Sequence, residues 1–394
     1  MKNSGNLFIP SFISSNILLA VTAPYLVILL RDIGYTTLWV GILFSIFEAA
    51  GLAGPFILGY LSDKTGNYRL SLLLSCILPA VVIFPLILWV NPLISIISLF
   101  FMAFGLRSLV SLIDAITTVQ IGASGNYGRL RVWGSISFIV MTMFFQWTPF
   151  LKPDSSLNIG IWLFALSILC LIPTLILPKH SLRLTAEFSN TDTADKPVAA
   201  VKGYVFCGFS IIFLSRFGMA AIVTYFSLFM IETVKWDAVG LMWALAAVAE
   251  VPFLFLSKKL IRRFGSMSLL AMSAFGVCLR LLLLAFFPFK VWIIISTLLH
   301  SLCFGIYHPA AIQFVSSLYP AEKRGRGMSM YMIMGTGLPA ITGAFAGGTI
   351  IQAFGYKPMF LVYAGISALA VLIYSTLFLR PQIRGQWRAD FPVN

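Results

Sequence analysis

In the stretch ALAAVAEVPFLFL, residues 244–256, Glu250 stands among small, aliphatic, aromatic and proline residues. It is not alone in the chain: Glu48, Arg107, Asp114, Arg216, Arg280, His300 and His308 also lie inside long apolar runs, with Arg131 near the edge of one. Arginine keeps its proton at any physiological pH, so Arg107, Arg216 and Arg280 are fixed positive charges. A carboxylate can drop its charge, because burial favours its neutral form and a nearby cation its ionised form. A glutamate whose cationic partner comes and goes is a proton switch. Glu250 is read in this way, its charged form held by Arg280 or Arg216, with a static ion pair as the plainer alternative. Glu48, Asp114, Arg131 and Arg216 are read as groups that meet a polar or charged small molecule. Arg107 and Asp114 are seven residues apart and His300 and His308 eight, so helical periodicity permits one face for each pair.

Something must hold these groups away from lipid and water alike. Hydrophobic residues make up 59% of the 394 and charged residues 10%, with a mean hydropathy of +0.95. A soluble domain carries roughly 25% charged residues, so this chain has too few to cover a water-facing surface. A bilayer-spanning helix needs about 20 largely apolar residues. The sequence predicts twelve such spans, at 7–30, 37–60, 69–91, 93–120, 129–151, 158–178, 202–231, 236–258, 266–287, 290–318, 326–352 and 357–380. Left unpaired against lipid, the eight midspan groups would together cost roughly 20 kcal/mol. That exceeds the stability of an ordinary protein, so they are expected to pair, to sit neutral or to face a wet chamber between two halves of the chain.

The net charge of +14 is spread along the chain rather than gathered into a nucleic-acid patch. With the N-terminus inside, 19 lysines and arginines fall at inner ends, and only Arg31, Lys152, Lys235, Lys290 and Lys357 at outer ones. This is the positive-inside bias, and it puts both termini in the cytoplasm. Trp39, Trp89, Trp147, Trp162, Trp236 and Trp292 fall at the outer ends, where amphipathic rings settle. The first apolar segment is too long for a signal peptide. Cys76, Cys170, Cys207, Cys278 and Cys303 lie within spans without metal-ligand spacing and read as small buried residues. No glycosylation sequon occurs, which favours a bacterial protein, and the expected location is the bacterial inner membrane.

A polar stretch near 178–203 separates six spans from six, giving bundles over 1–180 and 202–394 with a cytoplasmic linker over 181–201. The halves repeat at an offset of about 200. Tyr25 matches Tyr225, Asp32 matches Glu232, FMAFG at 101–105 matches SLCFG at 301–305, and Glu48 lies one helical turn from Glu250 in this register. Two duplicated six-helix bundles are an architecture of rocking carriers.

The loop GYLSDKTGNYR, Gly59 to Arg69, resembles the signature of the major facilitator superfamily, G-x-x-x-D-[RK]-x-G-[RK]-[RK]. Gly59, Asp63, Lys64 and Gly66 match it, whereas Asn67 and Tyr68 fill its two basic slots. The resemblance implies a gating role for these residues. Gly66 permits a tight turn, and Asp63 can cap the next helix or pair with a cation. YGRLRVWGSISF (127–138) is similar to the phenylpropionate permease-like and sugar–proton symporter branches, and GLMWALAAVAEVP (240–252) and LLHSLCFGIYHPAA (298–311) are similar to the eighth and tenth helices of the phenylpropionate-like branch. Similarity to the lactose-type symporters implies proton coupling by Glu250, Arg280 and His300 and solute binding by Asp114 and Arg131. Two departures stand out. Cys303 occupies the place of that branch's proton-binding Glu, and Phe138 the place of its sugar-stacking Trp.

The reading is an all-α membrane protein of twelve transmembrane helices in two pseudo-symmetric six-helix bundles, a symporter importing a small organic solute by alternating access. An organic or aromatic acid fits the arginines. A sugar or nucleoside, or proton-driven export, is the alternative. The expected partners are a small-molecule substrate, protons and the lipid bilayer, with no nucleic acid, no cofactor, no metal and a monomeric state. Two enzyme-like motifs lack their context: GASG at 122–125 lies in a polar loop, and GTGLPA at 335–340 has no preceding strand. Gly343 and Gly347 form a G-x-x-x-G expected to bring helices close.

Overall fold

The computed structural model describes residues 4–121, 127–177, 202–319 and 324–378. The GASG motif, the whole linker over 181–201 and the C-terminal tail lie outside these residues. Among the described residues there is no strand and there are twelve long helical spans. Those of the first half are α1 (Ile9–Asp32), α2 (Thr37–Thr65), α3 (Tyr68–Leu88), α4 (Pro92–Ile121), α5 (Tyr127–Trp147) and α6 (Ser156–Ile176). Those of the second are α7 (Gly203–Val234), α8 (Val239–Phe264), α9 (Ser266–Phe286), α10 (Lys290–Leu318), α11 (Arg326–Phe354) and α12 (Tyr356–Phe378).

Ten of these are long and apolar enough to cross a bilayer. In α8, Val239–Phe253 and Phe255–Phe264 diverge by 57°, just beyond Pro252, whose ring and missing N–H break the helical ladder. The remaining span, α5, has 21 residues and carries Arg129 and Arg131 at its start. Large apolar side chains lie exposed along the helices, among them Phe255, Ile176 and Phe354. Only a lipid solvent makes such surfaces stable. Buried hydroxyls answer to their own helices: Thr22, Ser75 and Ser167 each donate to the carbonyl four residues back, at 2.9, 2.7 and 2.7 Å.

The chain divides into two compact units, one holding α1–α6 with residues 238–244, the other α7, the rest of α8 and α9–α12. Within the first, α1 packs on α5 and α6, α3 on α4 and α6, and α2 on α4. Within the second, α7 packs on α11 and α12, and α9 on α10 and α12. The repeat seen in sequence is thus a repeat of packing. The Asp32–Glu232 match has a structural basis. Asp32 accepts from the backbone N–H of Ser156, the first residue of α6, at 2.7 Å. Glu232 accepts from the hydroxyl of Tyr356, the first residue of α12, at 2.6 Å. Gly66 and Gly265 take positive φ, 61° and 76°, between α2 and α3 and between α8 and α9.

The second unit carries π-helical turns at Met230–Val234, Ser301–Gly305 and Ile333–Gly337. The GTG of 335–337 falls in the last of these. Gly343 and Gly347 face Ala220 and the ring of Tyr225, so α11 lies close against α7. The first π turn ends on Lys235 at φ 55°, the only non-glycine residue with positive φ among the described residues. A left-handed side-chain-bearing residue costs roughly 1–2 kcal/mol. Lys235→Gly is therefore expected to stabilise the protein by up to about 1 kcal/mol after glycine's own entropy loss, read as a higher melting midpoint in detergent.

Candidate functional site

The midspan ionisable groups gather into three clusters, each inside one unit. In the first unit, Glu48 of α2 accepts from Arg107 of α4 at 2.9 Å. The guanidinium also lies 5.8 Å from the Phe47 ring centroid. Gly51 makes the pair possible, because a Cβ there would come within 2.8 Å of the Arg107 side chain.

The second cluster joins α1, α4 and α5. The Tyr127 hydroxyl donates to the Asp114 carboxylate at 2.5 Å, and an Arg131 N–H reaches the Tyr127 oxygen at 3.5 Å. Asp114 and Arg131 line a cavity of about 180 Å³ with Phe12, Ser15, Asn16, Leu19 and Ser135. A cavity of about 150 Å³ holds a benzene ring, so a six-membered ring fits here. Although Arg107 and Asp114 share α4, they serve different partners. Phe138, half-buried and two turns beyond Arg131, is not part of this lining.

The third cluster lies in the second unit and uses four helices. The His300 Nε2 of α10 stands 2.7 Å from the Glu250 carboxylate of α8, and its Nδ1 stands 2.6 Å from an Arg280 Nη of α9. Arginine can only donate, so Nδ1 is the acceptor and the imidazole proton sits on Nε2, donated to Glu250. The tautomer of a neutral His300 is thereby fixed, and Glu250 meets Arg280 through the ring rather than directly. Arg280 is 2% exposed. Its Nε has no acceptor among the described residues.

Arg216 of α7 stands apart from the acids. One Nη donates to the Cys303 carbonyl at 2.9 Å, a carbonyl that also accepts from Ser273 at 3.0 Å. The guanidinium lies 4.0 Å from the Tyr307 ring centroid and 5.4 Å from that of Phe304. Cys303 belongs to the π turn Ser301–Gly305, a distortion frequent at functional sites. Gly305, at the end of that turn, lets α10 approach α8: a Cβ there would lie 3.0 Å from Phe253 and 3.6 Å from the Glu250 Cα. The equivalent helix pairs, α2–α4 and α8–α10, are thus each tied by an acid on the first helix and a base on the second.

At the end of α2, Gly66 is the left-handed C-cap at φ 61°. Asn67 rather than Asp63 caps α3, accepting from the Arg69 N–H at 3.1 Å, while Asp63 accepts from the Tyr68 hydroxyl. Lys64 is exposed, and a Cβ at Gly59 would meet nothing within 4 Å. Sequence reasoning did not single out Tyr127, Asn16 or Tyr68. Tyr127 and Tyr68 lay inside motifs already quoted, and Asn16 was a lone carboxamide in an apolar run. The role of the Cys303 carbonyl left no trace in sequence, since every residue has one.

An all-helical, multi-pass membrane fold that repeats its packing and carries ion-pair clusters within its spans has the form of a secondary transporter. Residues 14–362 match the MFS_1 like family, and the chain belongs to that family, within the major facilitator superfamily. It is 28% identical over 261 residues to the uncharacterized transporter YwbF of Bacillus subtilis (strain 168), the match covering 65% of this chain and 63% of that one. It is 24% identical to the maltose permease of Geobacillus stearothermophilus, covering 66% of each. The match thus spans slightly less than two thirds of either relative's length. A probable 3-phenylpropionic acid transporter of Escherichia coli (strain K12) is 25% identical over 383 residues, 91% of this chain and 93% of that one. Among solved structures, the nucleoside transporter NupG superposes with a TM-score of 0.79 at 18% identity, covering 94% of this chain and 98% of that one. The E. coli xylose transporter XylE, inward open, gives 0.70 at 15% identity, covering 97% and 99%. These two likenesses concern fold alone. The named proteins are transporters, not enzymes.

Proposed function

We propose that the protein is a proton-coupled symporter that brings a small organic anion, aromatic acids among them, into a bacterial cell by alternating access. The charge ledger of the second unit carries this reading. Glu250 is matched to Arg280 through His300, whereas among the described residues the contacts of Arg216 are a carbonyl and two aromatic rings. One carboxylate is left to take a proton and one cation to take a carboxylate. The resemblance to a 3-phenylpropionic acid transporter supports the same class.

The relay makes coupling physical. A proton reaching Glu250 cancels the charge that faces the Nε2–H of His300; the carboxyl still accepts through its other oxygen, but a neutral acceptor holds the bond less strongly than a carboxylate does. Protonation thus weakens, without breaking, the tie between α8, α9 and α10. A solute carboxylate at Arg216 would supply the negative charge that Glu250 gives up.

In the first unit, Asp114 and Arg131 would hold the polar part of the solute, with Glu48 tuning Arg107 and Phe138 bordering the path. That cavity favours a second reading, a neutral hydroxylated ring such as a sugar or nucleoside, because Asp114 repels an anion. Asp63, Lys64, Gly59 and Gly66 would form the gate between α2 and α3. Residues 1–180 and 202–394 would be the two bundles, joined by a linker over 181–201, with both termini in the cytoplasm and a monomer as the working unit.

Uptake by proteoliposomes tests the proposal. Aromatic monocarboxylates, hexoses and nucleosides are offered with an inward proton gradient, with and without a protonophore. Gradient-dependent uptake of a carboxylate is expected, and Arg216→Gln is expected to weaken its half-saturation by about 30-fold or more, the loss typical of an unpaired buried charge partner. Uptake confined to a hexose or nucleoside and unaffected by Arg216→Gln would replace the anion reading with the neutral one. Proton-driven efflux in place of uptake would reverse the direction.

A further inference from the structure

On α10 the rings of His300, Phe304 and His308 follow one another at successive helical turns. The His300 and Phe304 centroids are 5.7 Å apart with planes 6° from parallel. Those of Phe304 and His308 are 6.4 Å apart at 5°. Full face-to-face contact would bring the carbon atoms of two rings to about 3.5–4 Å, so neither imidazole covers the phenyl face. Phe304 is accordingly 39% exposed.

This exposure is of a different kind from that of Val291, Ile295 and Leu298 earlier on α10, which are open aliphatic side chains suited to lipid. The Arg216 guanidinium lies 5.4 Å from the Phe304 centroid. Next along the helix stands His300 with its partner Glu250, 15% and 19% exposed. Arg216 itself is only half-buried. Ionisable groups left partly open are costly against hydrocarbon, so the space beside this ring is wet. The Cys303 carbonyl at 2.9 Å and the Tyr307 ring at 4.0 Å hold the guanidinium in place there. An uncovered phenyl face and a fixed cation thus stand side by side in a polar opening.

We infer that the open face of Phe304 is a stacking platform for an aromatic ring of the solute whose carboxylate pairs with Arg216, so that the second unit selects aryl carboxylates over aliphatic and alicyclic ones. This rests on the anion reading proposed above. One small molecule can make both contacts. The guanidinium carbon and the phenyl centroid are 5.4 Å apart. A carboxylate that hangs from a ring by one or two carbons reaches about that far, each C–C bond adding about 1.5 Å. An aromatic occupant gains over a saturated one of the same size, because two aromatic rings attract beyond the area they cover. Phe304 is then a specificity residue, and Arg216 is the anchor that every carboxylate uses.

The test compares two probes in proteoliposomes under an inward proton gradient, 3-phenylpropanoate and 3-cyclohexylpropanoate. They share the carboxylate, the chain and the number of carbons, and differ in the aromaticity of the ring. The parent is expected to take the phenyl probe with a half-saturation about two- to tenfold lower. Phe304→Leu, which keeps an apolar side chain without a ring, is expected to remove that preference by weakening the phenyl probe alone, and Phe304→Tyr to keep it. A merely structural role would move both probes together. Equal losses for the two probes, or a preference that survives Phe304→Leu, overturns the platform. A parent that takes both probes equally overturns it without any variant, whether or not Phe304→Leu assembles. Failure of the anion reading is separate. Arg216→Gln is expected to weaken both probes alike, and if it weakens neither, the carboxylate is not held there, while the phenyl preference is still decided by Phe304→Leu. Uptake of neither probe overturns both.

Discussion

Glutamine in place of Glu250 is expected to abolish uphill uptake while leaving solute exchange between the two sides intact. Glutamine keeps the size of the side chain and still offers an oxygen to the His300 Nε2–H, so the contact between α8 and α10 at 2.7 Å survives in form. What it cannot do is change its charge with a proton. The relay through His300 to Arg280 then stays in one state, and the solute comes to equal concentration on both sides. For one proton per solute, each pH unit of gradient is worth about 1.4 kcal/mol and a tenfold accumulation, and that entire factor should vanish in E250Q. Counterflow with labelled solute measures what remains. If E250Q accumulates solute to the parent level under a proton gradient, Glu250 is not the coupling group.

Removing Arg280 should act on stability as strongly as Glu250→Gln acts on coupling. The side chain is 2% exposed and donates to His300 Nδ1 at 2.6 Å. In Arg280→Leu the acceptor at Nδ1 has lost its donor, and the Glu250 carboxylate has lost the cation behind the ring. Breaking a buried pair by deleting one partner costs about 3–5 kcal/mol. The midpoint of denaturant unfolding in detergent should fall accordingly. The second substitution separates pairing from packing. Glu250→Gln in the Arg280→Leu background removes the stranded charge and should restore a large part of the loss, a coupling that the double-mutant cycle measures. Strictly additive losses would mean that Glu250 and Arg280 do not communicate through His300. Lysine is no conservative substitute here, because it replaces the planar guanidinium that reaches Nδ1 with a point-charge ammonium.

Much of the fold was legible in the chain because lipid is a severe solvent. A backbone in hydrocarbon must satisfy its own hydrogen bonds, and only a helix does so within one segment. Apolar runs therefore translate almost directly into spans, and each of the twelve expected runs coincides with a helix among the described residues. The duplication was legible for a related reason. Asp32 and Glu232 are preserved at one offset because each finishes the first helix of its unit against the sixth, by a hydrogen bond to Ser156 or Tyr356. The rarity of charge made the functional groups stand out, since Glu48, Asp114, Glu250 and the arginines are costly wherever they lie in a span.

The partners were another matter. Periodicity fixes the face of a helix that a residue occupies, but the neighbour opposite is a property of packing. Thus Arg107 and Asp114, seven residues apart on α4, turned out to serve Glu48 on one helix and Tyr127 on another. Glu250, expected to meet Arg280 or Arg216 directly, meets His300, and Arg216 meets a backbone carbonyl that only a π turn in α10 presents to it. The chain alone determined that charges are buried in a duplicated helical bundle, because composition and hydrophobic run length act locally. Which base answers which acid, and which backbone carbonyl Arg216 finds, was decided only when helices far apart in sequence were brought side by side.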